Sequence, residues 1–166
     1  MKEADDTAEP SANSVTALNL LRIGYMLGRD DARQRAEETL KAVAKQLEAA
    51  PSSMPQMLVA LSWSRSKPKQ VVVAGKADDA ATQAMLREAN RHFIPHEVLI
   101  LADGGAGQQF FAERVEFMKS VGKIDNKPTA YVCENFVCQL PTTDLETLAN
   151  FLTRPASRKG PAEGSR

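Results

Sequence analysis

Cysteine is almost absent, with two in 166 residues, too few for the disulfide framework of a small secreted domain. No signal-peptide pattern opens the chain, so the expected setting is a reducing cytoplasm. An excess of either charge is missing as well. Lys and Arg number 21, as do Asp and Glu, which argues against a broad electrostatic footprint for nucleic acid or anionic lipid. No apolar run approaches the ~20 residues that span a bilayer, and no repeat recurs at a fixed period.

What is present reads as two unlike halves and a tail. Single cores commonly serve ~100 to 150 residues, so the length suits one domain or two small ones. Residues 1–67 are helical in pattern, residues 68–152 alternate short β-branched runs with helical segments, and the boundary is expected near Lys67-Pro68. Beyond Thr153, "RPASRKGPAEGSR" is rich in Pro, Gly, Ser and charge. That composition predicts a disordered tail over 153–166.

In the first half, Ser11, Asn13 and Ser14 have the short polar side chains that cap a helix start, and Gly28 suits its end. The apolar residues between them, Val15, Leu18, Leu20, Leu21, Ile23, Tyr25 and Met26, exceed one stripe. Ala32, Ala36, Leu40, Val43, Ala44 and Leu47 give Asp31 to Ala49 the period of an outer, solvated helix. A third helix begins at Met54-Pro55, where proline fits the first turn, and is apolar nearly all round. Two such helices and one amphipathic one cannot hide all their apolar surface among themselves. Either the second half covers them, or the chain self-associates, or the sequence is one end of a larger helical assembly, with Met1 then an internal methionine of a longer frame.

In the second half, Val71 to Val73 and Val98 to Leu101 read as strands joined by a helix capped at Asp78 or Asp79. This β-α-β unit lacks polar alternation, as parallel strands covered on both faces do. "GQQFFAERVEFMKSVG" predicts a further helix and "TAYVC" a third strand. Thr143 and Glu146 stand at the spacing of a capping box before a closing helix. The expected class is mixed α and α/β, with a small three- to four-stranded, mainly parallel layer ending in a hairpin and helix.

The stretches "EPSANSVTALNLLRI", "MPQMLVAL", "PKQVVVAGKAD", "EVLILADGG" and "KPTAYVCENFVCQLPTTD" occur in an order that resembles the C-terminal segment of the spermatogenesis-associated protein 20-like family. The resemblance implies large proteins with a thioredoxin-like domain and a six-hairpin α/α toroid like that of sugar epimerases and glycosidases. It implies that the helical half supplies the last toroid helices and that the α/β part is an appended layer. The implied partners are the missing N-terminal part of that architecture or, failing it, other copies through the apolar helices. A sugar is the ligand implied for a complete protein, with Glu9, Ser11 and Asn13 at the start of an inner helix as its candidate contacts; helix capping is the competing reading for Ser11 and Asn13. No second carboxylate or histidine is identifiable as an acid-base partner, so catalytic residues are not assigned.

Three other motifs carry chemistry. Cys133 and Cys138 flank "ENFV". A two-residue Glu134-Asn135 loop makes them a diagonal pair ~7 to 8 Å apart, too far for an unstrained disulfide, whereas a four-residue loop sets them opposite each other. Asn in the turn favours the shorter loop and free thiols acting as small hydrophobes; a redox pair is the alternative. His92 and His96 complete a tetrahedral zinc set with these cysteines on paper, but Pro95 separates them across a helix-to-strand junction, and the reading is no metal and no cofactor. Gly104, Gly105 and Gly107 in "ADGGAG" sit between a strand and a helix, where amides receive anions. The spacing matches neither G-x-G-x-x-G nor a P-loop, and a flexible loop competes. An independent α/β module that binds an anion or nucleotide, or that works through Cys-x4-Cys, is therefore the alternative function.

Overall fold

The computed structural model describes residues 5–134 and 137–154. Helix α1 (Ala12–Leu27) starts at Ser11, whose side chain accepts from the Ser14 amide, and ends at Gly28, whose φ of 63° is the left-handed turn glycine tolerates. The outer helix is not continuous: α2 (Asp30–Ala42) and α3 (Ala44–Ala49) are separated at Val43, with ψ at 2°. Helix α4 (Pro55–Arg65) has its proline in the first turn. Strand β1 (Lys69–Ala74), helix α5 (Ala80–Arg91) and strand β2 (Glu97–Ala102) form the expected β-α-β unit. Asp79 caps α5 by accepting from the Thr82 amide.

The segment after β2 departs from the expected long helix. Helix α6 (Ala106–Ala112) is short, Val115 is extended, and a 3₁₀ turn at Glu116–Lys119 follows. Strands β3 (Thr129–Glu134) and β4 (Val137–Cys138) form a hairpin, and α7 (Leu145–Thr153) closes the described chain. The cap of α7 is Asp144, accepting from the Thr147 amide, in place of the Thr143–Glu146 box. Residues 155–166 of the expected tail lie outside the described residues, and Thr153 belongs to α7.

The mixed α and α/β class holds, as does a four-stranded layer ending in hairpin and helix. The sheet order is β2-β1-β3-β4, and "mainly parallel" gives way to a mixed sheet. Only β1–β2 is parallel, while β1–β3 and β3–β4 are antiparallel. The run from α6 to β3 makes no second helical crossover, so β3 returns in the opposite direction.

Side chains alternate across a strand, so the sheet divides the core. Val72, Ala74, Ile100 and Ala102 meet Leu18 and Leu21 of α1 and Met57, Ala60 and Trp63 of α4 in one cluster. Val71, Val73, Ala130 and Val132 meet Met85 and Ala89 of α5 and Leu148 and Leu152 of α7 in the other. Lys67 and Pro68 lie in the α4–β1 connection, and the first cluster runs straight across it. Part of the missing cover for α1 and α4 is the sheet itself. The remainder is exposed: Val15 (39%) and Ile23 (42%) on α1, Leu58 (38%) and Val59 (45%) on α4.

Candidate functional site

The hairpin chemistry starts from register. Glu134 pairs with Val137 and Cys133 with Cys138; Asn135 and Phe136 between them lie outside the described residues. The cysteines are directly opposite, in the register the sequence argument disfavoured, and they are joined as a disulfide with Cα atoms 3.9 Å apart. The Gln139 amide donates to the Val132 carbonyl, which makes the cysteine pair the non-hydrogen-bonded kind, where facing side chains come closest. Free thiols acting as small hydrophobes are therefore corrected to a bonded pair. Cys133 is 3% exposed, whereas Cys138 lies on the outermost strand and is exposed.

The glycine loop is occupied by its own side chains. The Gly104 amide donates to Gln108 Oε1 and the Gly105 amide to Asp103 Oδ1, each at 2.8 Å, while Gly107 lies exposed in α6. Gly104 has φ of 84°, so glycine is required there by the turn. Arg114, just beyond the end of α6, stacks over Phe110.

At the chain's start, Ser11 Oγ caps α1 and lies 2.8 Å from Ser14 Oγ. Glu9 is exposed and Asn13 half-buried. Sequence reasoning missed Asp6. Its carboxylate accepts from the Ser11 amide at 2.7 Å and from the Gln56 amide at 2.7 Å, tying together the first turns of α1 and α4. Burial pushes this carboxyl upward, but these hydrogen bonds outweigh it and hold the pKa below the ordinary 3.8.

The histidines are not brought to the cysteines. His92 Nε2 meets Glu88 at 2.9 Å, and His96 Nε2 meets Ser62 Oγ at 3.1 Å with its ring edge-on to Trp63. Burial lowers the His96 pKa. Among the described residues no group of three His, Cys, Asp or Glu side chains is arranged to hold a metal ion.

A charged row invisible to linear reading crosses the sheet. Lys69 on β1 stands beside Glu97 on β2 and Glu134 on β3, and cross-strand neighbours share a face. Lys69 is 9% exposed. Its ammonium donates to the carbonyls of Phe151, Leu152 and Arg154, at 3.1, 2.6 and 3.0 Å. It thereby satisfies the orphan acceptors at the end of α7. Glu97 Oε1 and Glu134 Oε1 are buried with no hydrogen-bond partner among the described residues. Burial raises the Glu97 pKa from 4.5 to about 7, with Lys69 and His92 opposing. The charges at Lys69, Glu97 and Glu134 begin or end strands separated by 28 to 65 positions, so only the register reveals the row.

The helical half carries an apolar groove of about 300 Å³ between α2–α3 and α4. Leu40, Ala44, Leu47, Leu58 and Leu61 line it, with Lys41, Glu48 and Arg65 at the rim. Its lining is poor in groups for acid-base or nucleophilic chemistry and suited to another apolar surface.

No protein-family model and no solved structure matches the chain. Among characterised sequences it is similar to spermatogenesis-associated protein 20 of Homo sapiens, 37% identical over 144 residues, covering 87% of this chain and 18% of the relative. The proteins of that name from Rattus norvegicus and Mus musculus are each 35% identical over the same 87% of the chain and 18% of their own length. The chain thus spans about a fifth of the length of the curated relatives it matches. Among the described residues no helix is long and apolar enough to cross a membrane. With the likeness running through both helical and sheet portions, the chain belongs to the spermatogenesis-associated protein 20-like family.

Proposed function

We propose that this chain is the C-terminal part of a larger toroid-and-thioredoxin architecture, as the resemblance implies, and that it acts as a docking and structural element with no catalysis of its own. The observation that carries the reading is the apolar groove between α2–α3 and α4, whose lining includes exposed Leu58, with Val59, also exposed, the next residue along α4. A segment equal to a fifth of its relatives' length leaves ample polypeptide to cover that surface. Burying several aliphatic side chains contributes roughly 1.5–3 kcal/mol each when the burial is complete. The occupant is the remaining, N-terminal part of the family architecture; association with another copy of the chain is the competing use of the same face. In the assembled protein the ligand is a sugar, reached by the start of α1 with Glu9, Ser11 and Asn13, and its conversion is carbohydrate chemistry performed outside this chain. The helix-capping geometry of Ser11 supports only a positional part for this residue.

A truncated human relative lacking the equivalent stretch, supplied with that stretch in trans, tests the reading. The two pieces should co-purify, and lysines at the equivalents of Leu58 and Val59 should abolish recovery. A stretch that stays monodisperse alone and ignores the truncated protein would sink the docking proposal. Calorimetric titration with mono- and oligosaccharides should register heat for the reconstituted pair and none for either piece; heat from the isolated stretch would contradict the division of labour.

A further inference from the structure

The hairpin disulfide, independently of the docking reading, has the placement of an exchange site. We infer that Cys133–Cys138 is a reversible two-electron thiol–disulfide site whose co-reactant is a dithiol and whose point of attack is Cys138.

Access comes first. Cys138 is exposed on the edge strand β4, between Val137 at 69% and Leu140 two positions on at 85% exposure, so an incoming thiolate approaches it from the solvent side of the sheet edge. Cys133, 3% exposed, is shielded. Attack is therefore directed to one of the two sulfurs, and thiol–disulfide exchange depends on which sulfur is reached.

Retention of the partner comes second. The bonded residues are five positions apart, and a cross-link closing so short a loop removes little entropy from the unfolded chain compared with one spanning a domain. The hairpin has other ties: Gln139 donates to Val132, and Ala130 and Thr142 exchange backbone hydrogen bonds at 2.8 and 3.0 Å. Strand β3 is also paired along its whole length with β1. Breaking the bond consequently leaves the two thiols facing each other, and such preorganisation favours re-closure over escape. With two cysteines in the entire sequence, no third thiol within the chain diverts the exchange.

A thiolate of the dithiol attacks Cys138 Sγ, forming a mixed disulfide; the Cys133–Cys138 bond breaks and Cys133 leaves as thiolate, taking a proton from solvent. The second thiol of the reductant displaces Cys138, closing its own disulfide. The dithiol loses two electrons and two protons; the protein gains both as two thiols.

The test incubates the native chain in buffers of graded reduced to oxidised dithiothreitol, traps thiols by alkylation and counts them by mass. Both thiols should appear together, at the same ratio whether approached from the oxidised or the reduced side, with an unchanged far-ultraviolet dichroism spectrum. A bond that resists dithiothreitol until urea unfolds the chain, or thiols that fail to re-close under oxidised dithiothreitol, overturns the inference. Single variants locate the attack: Cys133→Ser, which retains Cys138, should form a mixed disulfide with oxidised glutathione at least about tenfold faster than Cys138→Ser, following accessibility. Equal rates would overturn the assignment of Cys138. The measurements on the unsubstituted chain decide the main point even if a variant fails to fold.

Discussion

Asp6 and Lys69 each hold two distant pieces of chain through backbone groups, and both act as polar substitutes for packing. Asp6 accepts the Ser11 and Gln56 amides, so Asp6→Ala removes caps from two helices at once. Loss of one cap typically costs about 1 kcal/mol, and the expected effect on urea unfolding is roughly 1–2 kcal/mol. Its pKa is lowered in the fold, so its contribution is present above the unfolded value of 3.8 and lost as pH falls through the lower folded value. Lys69→Met strips three carbonyls at the end of α7 of their donor and removes the lysine charge that stands beside Glu97 and Glu134 in the sheet. A destabilisation of about 3 kcal/mol follows from breaking such a buried charged arrangement. Hydrogen exchange should accelerate most in α7, and uniform acceleration across the sheet would refute its role as an anchor.

Glu97 works in the opposite sense to Asp6. Its folded pKa of about 7 exceeds the ordinary 4.5, so the fold holds this proton more tightly than the unfolded chain does. The associated stability is present below 4.5 and is lost as pH rises through about 7. Urea midpoints measured from pH 5 to pH 8 should therefore decline. Glu97→Gln, which mimics the neutral form, should flatten that decline and raise the midpoint at pH 8; a decline of equal slope in the variant would assign it to another group.

At the scale of elements, a helical hydrophobic period does not guarantee an unbroken helix. The stretch from Asp31 to Ala49 keeps a helical period, yet breaks at Val43, since periodicity survives a local kink. The run after "ADGG" likewise divides at Val115. Caps were legible where a short polar side chain preceded the helix, as at Ser11 and Asp79; Asp144 won over Thr143 because its carboxylate reaches the Thr147 amide at 2.7 Å. The groove makes its own prediction at this scale. With Leu58→Lys and Val59→Lys, the isolated chain should elute later in size-exclusion chromatography at high concentration than the unsubstituted chain, with unfolding midpoints little changed because both side chains are already partly exposed.

For the whole molecule, the helical half and the sheet layer share a hydrophobic cluster that includes Leu21, Trp63, Val72 and Ile100. Limited proteolysis near Lys67 is therefore expected to leave the two parts associated. The sequence by itself determined the elements and their class, because capping residues, β-branched runs and apolar periodicity act over a few neighbouring positions. It also carried the family, through stretches spread over most of the chain. Only the tertiary structure decided the direction of β3, the opposition of Cys133 to Cys138, the Glu97–Lys69–Glu134 row and the double use of Asp6. Each of these depends on register or on contacts between segments far apart in the chain, and a one-residue slip in pairing exchanges the faces of a strand without altering its local pattern.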